Sequence, residues 1–136
     1  MTSMQKKRIR KEYQLSAKSP SMVWGLIGEA SGLQKWIADY VDVDNENSFV
    51  FTWGEEWTEH HSITFCVLDK KKNEYIRFRA DDEECPEAYM EMRIEKSELT
   101  GSLTLVVTDY AEPDETEALE DIWDNNIERL HRISGI

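Results

Sequence analysis

A chain of 136 residues is of single-domain size and long enough to bury one apolar core. Its 28 Asp and Glu outnumber its 16 Lys and Arg, leaving a formal net charge of −12, which repels phosphate backbones and argues against nucleic acid as a partner. Apolar runs fall short of the roughly 18 residues needed to span a bilayer, and the opening residues lack the apolar stretch of a secretory leader, so a cytoplasmic protein with no membrane insertion is expected.

The chain opens on a basic run, "KKRIRKEY" from Lys6 to Tyr13. This could serve as a nucleic-acid arm, but Ile9, Tyr13 and Leu15 recur with mostly even spacing, as in a strand with one wet face, and the rest of the chain is acidic. Residues 1–6 are expected to form a disordered tail, 7–136 a single domain, and 8–17 a first strand. The period then changes in "KSPSMVWGLIGEASGLQKWIADY". Ser19 is placed to cap a helix with a side-chain acceptor, Pro20 fits its first position, and Met22, Val23, Leu26 and Ile27 follow at helical spacing. Ser31 and Gly32 are expected to interrupt it before Leu33, Trp36 and Ile37 begin a second short helix.

From Tyr40 to Tyr110 the pattern is that of six strands, each rich in β-branched and aromatic residues. Breaks such as "DNENS", "DKKKN" and "DDEECP" hold turn formers, so an antiparallel meander follows. Cys66 and Cys85 form no metal-ligand spacing and read as buried or partly buried free thiols. The last segment is the clearest helix. Leu119, Ile122, Trp123, Asn126, Ile127, Leu130 and Ile133 share one face, acidic residues crowd its first half, basic ones its last turns, and Gly135 stops it. A helix of about 20 residues is roughly 30 Å long, enough to cross a whole sheet. The predicted class is therefore α+β, with a curved seven-stranded antiparallel sheet, two short helices after strand 1, and a long C-terminal helix over the sheet.

This order, and several of its residues, resemble the START-like superfamily, the SRPBCC or helix-grip fold of the birch-pollen allergens, and within it the Aha-type branch. "AKSPSMVWGLIGEASGLQKWI" looks like that branch's opening, with Ala17, Ser19 and Pro20 ahead of Val23 and Trp24, then Leu33 and Trp36. "ELTGSLTLVVTDYAEPDETEALEDIWDNNIERL" looks like its ending, where a strand finishing Thr108-Asp109-Tyr110 leads into a helix with a tryptophan. The resemblance covers the chain from about Lys7 onward. It implies a cavity between sheet and last helix, used across the superfamily for lipids, sterols, polyketides or aromatic metabolites. It also implies a small bacterial domain with no catalytic motif to carry over, and the branch takes its name from co-chaperones that stimulate a chaperone's ATPase.

Within that frame the stretch "FTWGEEWTEHHSITF", residues 51–65, holds the polar side chains of interest. Taken as one strand, Trp57, Glu59, His61, Ile63, Phe65 and Val67 share a face, and the apolar far end of that set points it under the helix. Glu59, His61 and helical Asn126 are then the convergent polar groups of a pocket otherwise lined by Phe49, Phe51, Trp57, Met90, Met92, Leu105, Trp123 and Ile127. The competing reading is a strand end running into solvent, the commonest home for charge. His60 and His61 face opposite ways, which argues against a shared metal, and no cofactor is expected. Asp109 and Glu112 are a helix length from His131, and Ser62 faces away from His61, so no catalytic relay forms. An acid/base role for Glu59 with His61 is the one enzymatic arrangement left. The expected function is noncovalent binding of a small lipophilic or aromatic ligand. The alternative is a protein partner docked through the acidic stretches 81–87 and 111–121, a co-chaperone-type role.

Overall fold

The computed structural model of the protein describes residues 5–45, 47–54 and 61–136. Seven strands, β1 (Lys7–Leu15), β2 (Tyr40–Asn45), β3 (Ser48–Trp53), β4 (His61–Lys71), β5 (Tyr75–Ala80), β6 (Met90–Lys96) and β7 (Leu103–Ala111), form one antiparallel sheet in the order β1-β7-β6-β5-β4-β3-β2. Helices α1 (Pro20–Ile27) and α2 (Ala30–Leu33) link β1 to β2, and α3 (Thr116–Ser134) closes the chain. The α+β helix-grip architecture expected from the sequence is thus the observed one. β2 to β7 run as a meander, and β1 returns to pair along the whole of β7, from Lys7 opposite Ala111 to Leu15 opposite Leu103.

Register shifts at Val43/Asn45 and Val67/Asp69 mark irregularities that bend the sheet, giving it a concave face. Period-two alternation sends Phe49 and Phe51, Phe65 and Val67, Ile76 and Phe78, Met90 and Met92, and Leu103, Leu105 and Val107 to that face, where most are fully buried. The convex face is wetter. It carries Glu91, buried between Arg77 (2.7 Å) and Arg93 (3.2 Å), with the two guanidiniums stacked on Tyr89 and Tyr75. Cys66 also lies there and is exposed, which corrects the expectation of two buried or partly buried thiols; its strand position faces away from the core, whereas Cys85 is buried.

The helical linker departs from the sequence pattern at one point. Ser31 and Gly32 do not interrupt a helix but lie inside α2, and the break falls at Gly28 and Glu29. The reason is packing: a Cβ on Gly32 would sit 1.7 Å from the carbonyl oxygen of Gly25, so only glycine lets α2 close on α1. Trp36 follows α2 in a turn, fully buried, its indole N–H donating to the Leu26 carbonyl (2.8 Å). Ser19 does occupy the N-cap of α1 with Pro20 next, but its hydroxyl meets that of Ser21 (2.8 Å) rather than a helical amide.

The apolar stripe of α3 is narrower than its sequence suggests. Trp123, Ile127 and Leu130 are buried, while Ile122 and Ile133 are 54% and 53% exposed. Gly135 ends the helix in the left-handed region at φ 74° and donates back to the His131 carbonyl. The terminal Ile136 carbonyl then accepts from the amide and hydroxyl of Ser16 (2.8 and 2.7 Å), tying the chain end to the end of β1. On its flank, Asp124 accepts from Tyr13 (2.8 Å) and pairs with Lys11 (3.2 Å), fastening α3 to β1. Among the described residues no helix is long and apolar enough to cross a membrane.

Candidate functional site

Because α3 packs chiefly on β1 and β7, the strands at the other side of the concave face lie under less cover. The result is a cavity of about 620 Å³ between sheet and helix. Its floor is aromatic and aliphatic: Phe51 and Trp53 from β3, Ile63 and Phe65 from β4, and Met90 from β6. Phe51 anchors this floor, its ring 4.9 Å from Phe65, 6.0 Å from Phe78 and 6.1 Å from Trp53. The roof comes from α3, through Leu119, Ile122 and Trp123 with Asn125, Asn126 and Arg129 beyond them. Ile37 and Asp39, on the segment leading from α2 to β2, complete the wall.

Polar groups enter this apolar space at defined positions. His61 starts β4 opposite Trp53 and stacks against its indole, centroids 5.2 Å apart. The Asp39 carboxylate accepts from the Gly54 amide (2.6 Å), and the Trp53 indole N–H donates to the Ile37 carbonyl (2.9 Å), so both are held by backbone. Asp109 is strongly perturbed. It continues the inward series Leu103, Leu105, Val107 on β7, and its carboxyl accepts from the Trp123 indole (2.9 Å) and the Tyr110 amide (2.8 Å). Burial pushes its pKa from 3.8 up to about 6, an effect those two hydrogen bonds and the nearby Lys6 offset only in part. Trp123 is therefore pinned at the wall by Asp109, with its ring 6.0 Å from that of Trp36.

Of the residues singled out from sequence, Phe51, His61, Met90, Trp123 and Asn126 line this cavity. Phe49, Met92, Leu105 and Ile127 are buried in the core and are not part of its wall. Trp57 and Glu59 lie outside the described residues, as does His60. Asp39, Trp53, Asp109 and Arg129 line the cavity and were not anticipated. For Asp109 the signal was present: counting by twos from Leu103 puts it on the apolar face. For Arg129 it was the three-residue step from Asn126, masked by the ordinary match of basic residues to a helix C-terminus.

Among the described residues, those around the cavity include no Ser, Thr, Cys or Lys, and no three His, Cys, Asp or Glu gather as a metal site. The chemistry on offer is that of an aromatic container with a few polar handles.

A sequence profile described as the START-like superfamily domain matches residues 3–136. The chain belongs to the START-like superfamily. Domains of this class bind small hydrophobic ligands, in keeping with a container of this shape. Among solved structures, this START-like domain is similar to a Bacteroides fragilis protein at 32% identity, over 93% of this chain and 90% of that one, with a TM-score of 0.62. The Aha1 dimer of Colwellia psychrerythraea aligns at 14% identity over 91% and 92% of the two chains, with a TM-score of 0.71. The AHSA1-like protein of Aeromonas hydrophila does so at 17% identity over 95% and 94%, with a TM-score of 0.67. The last two likenesses concern the fold alone. No curated protein matches the sequence.

Proposed function

We propose that this START-like domain binds a small apolar or amphipathic molecule noncovalently between its sheet and α3. The observation that carries the reading is the cavity itself. At about 620 Å³ it falls in the size range of small-molecule sites, and its wall is mostly aromatic and aliphatic with a few polar groups, the composition such sites share. Superfamily membership supports the same reading. A packed core would not leave that volume, since protein interiors close gaps down to the size of a water molecule.

Native mass spectrometry of the protein as purified, with an organic extract of the same sample run under denaturing conditions, tests this directly. The expected result is a reproducible adduct that is lost on denaturation and recovered in the extract. A bare mass, together with failure to take up an uncharged lipophilic dye, would overturn the proposal and direct attention to a protein partner docking on the acidic surface.

A further inference from the structure

Arg129 differs from the other charged groups that line the cavity. The Asp39 carboxylate is engaged by the Gly54 amide, and the Asp109 carboxyl by Trp123 and Tyr110. Arg129 is half-buried on α3 and makes no ion pair or hydrogen bond with another described residue, although carboxylates outnumber cations almost two to one in this chain. Asn126 and Asn125 lie three and four residues before it, the spacings that bring side chains together on one helix surface. Both amides line the same cavity and likewise make no side-chain hydrogen bond with the described residues. One stretch of the cavity wall therefore offers a guanidinium and two carboxamides, nine N–H donors in all by their chemistry, beside an apolar chamber.

We propose that the ligand is an amphipathic acid: an aromatic or aliphatic body lying on Phe51, Phe65, Met90 and Trp123, with a single oxyanion, such as a carboxylate, seated on Arg129 and the amides of Asn125 and Asn126. A guanidinium meets a carboxylate through two parallel hydrogen bonds, which fixes orientation as well as adding affinity. The partly apolar setting strengthens that contact relative to water. The net charge of −12 works the other way, repelling anions at long range. Preference for an anionic ligand must then come from this local cluster and not from the general surface, which makes the assignment sharp. This inference rests on the proposal that the cavity binds a ligand at all.

The two can be separated with a matched pair of fluorescent probes: anilinonaphthalene sulfonate, and N-phenyl-naphthylamine, which lacks only the sulfonate. Binding is read as energy transfer from tryptophan to the probe, since Trp53 and Trp123 both line the cavity. The expected result is one-to-one binding of both probes, with the sulfonate the tighter. Arg129→Gln should weaken the sulfonate roughly tenfold, the usual scale of a charge-assisted contact, and leave the neutral probe within about twofold. Arg129→Lys, which keeps the charge, should restore part of the loss. Far-ultraviolet circular dichroism of each variant establishes that it is folded. If the neutral probe binds the native protein as tightly as the sulfonate, or if Arg129→Gln weakens both equally, the anionic ligand is excluded while the cavity stands. If neither probe binds, the cavity reading fails, and this one with it.

Discussion

Replacing Asp109 by asparagine should change how stability depends on pH. In the folded protein the carboxyl titrates at about 6 instead of 3.8, mainly because it is taken out of water. Between those values the unfolded chain has lost this proton and the folded chain still holds it, so the folded state binds more protons and loses stability as pH rises. The loss is complete above about pH 6 and amounts to about 3 kcal/mol at roughly 1.4 kcal/mol per pH unit. D109N cannot ionise there. Both carboxyl oxygens now accept N–H groups, from Trp123 and from Tyr110, so one of them is replaced by an amide nitrogen facing a donor, a pH-independent cost of about 1–3 kcal/mol. The stability of the native protein relative to D109N should therefore fall by about 3 kcal/mol between about pH 4 and pH 7, bringing the variant close to the native protein or above it at neutral pH. Glu83 and Asp124 slope the opposite way. Burial pushes Glu83 upward but Lys6 holds it below the usual carboxylate range, and the Tyr13 hydroxyl does the same for Asp124. Both are common to the two proteins and cancel in the difference. Urea unfolding of each protein at intervals across this range supplies the measurement. A stability difference that stays constant with pH, or grows toward neutrality, would refute the reasoning.

Three other expectations are open to simple tests. Gly32→Ala places a methyl group on the Gly25 carbonyl and should cost about 3 kcal/mol, the upper end of the usual overpacking range, whereas Gly25→Ala meets nothing within 4 Å and should be neutral or slightly stabilising in α1; thermal melts of the pair distinguish a backbone contact from a general intolerance of the linker. Trp36→Phe removes the buried N–H to the Leu26 carbonyl and leaves that acceptor unpaired, so chemical denaturation should show a loss of about 1–3 kcal/mol. Cys66 is exposed on the convex face and Cys85 buried, so a thiol reagent should modify one cysteine at once and the second only on unfolding; rapid modification of both would contradict the placement of Cys85.

Periodicity alone determined most of the architecture, because each element must show one apolar side to a shared core. The two-residue alternation of β7, the three-to-four-residue step of α3 and the Ser19-Pro20 opening of α1 are local features, written in neighbouring residues and readable there. The resemblance at both ends of the chain joined them into one fold. What local pattern does not contain is how far α3 stands from each strand. Phe49, Met92 and Leu105 carry the same alternation as Phe51 and Met90, and Ile127 lies on the same helical stripe as Trp123, yet Phe49, Met92, Leu105 and Ile127 fill the core while Phe51, Met90 and Trp123 face a void. That division depends on where a curved sheet bends away from a straight helix, a property of the whole sheet. The exposure of Ile122 and Ile133 has the same origin, since a helix fastened to β1 through Asp124 presents only part of its stripe to the concave face. The polar handles were obscured for another reason: Asp109 reads as a strand end and Arg129 as a helix-dipole match until packing seals one against Trp123 and leaves the other facing the cavity. Composition chose the residues, and tertiary packing decided which of them meet empty space.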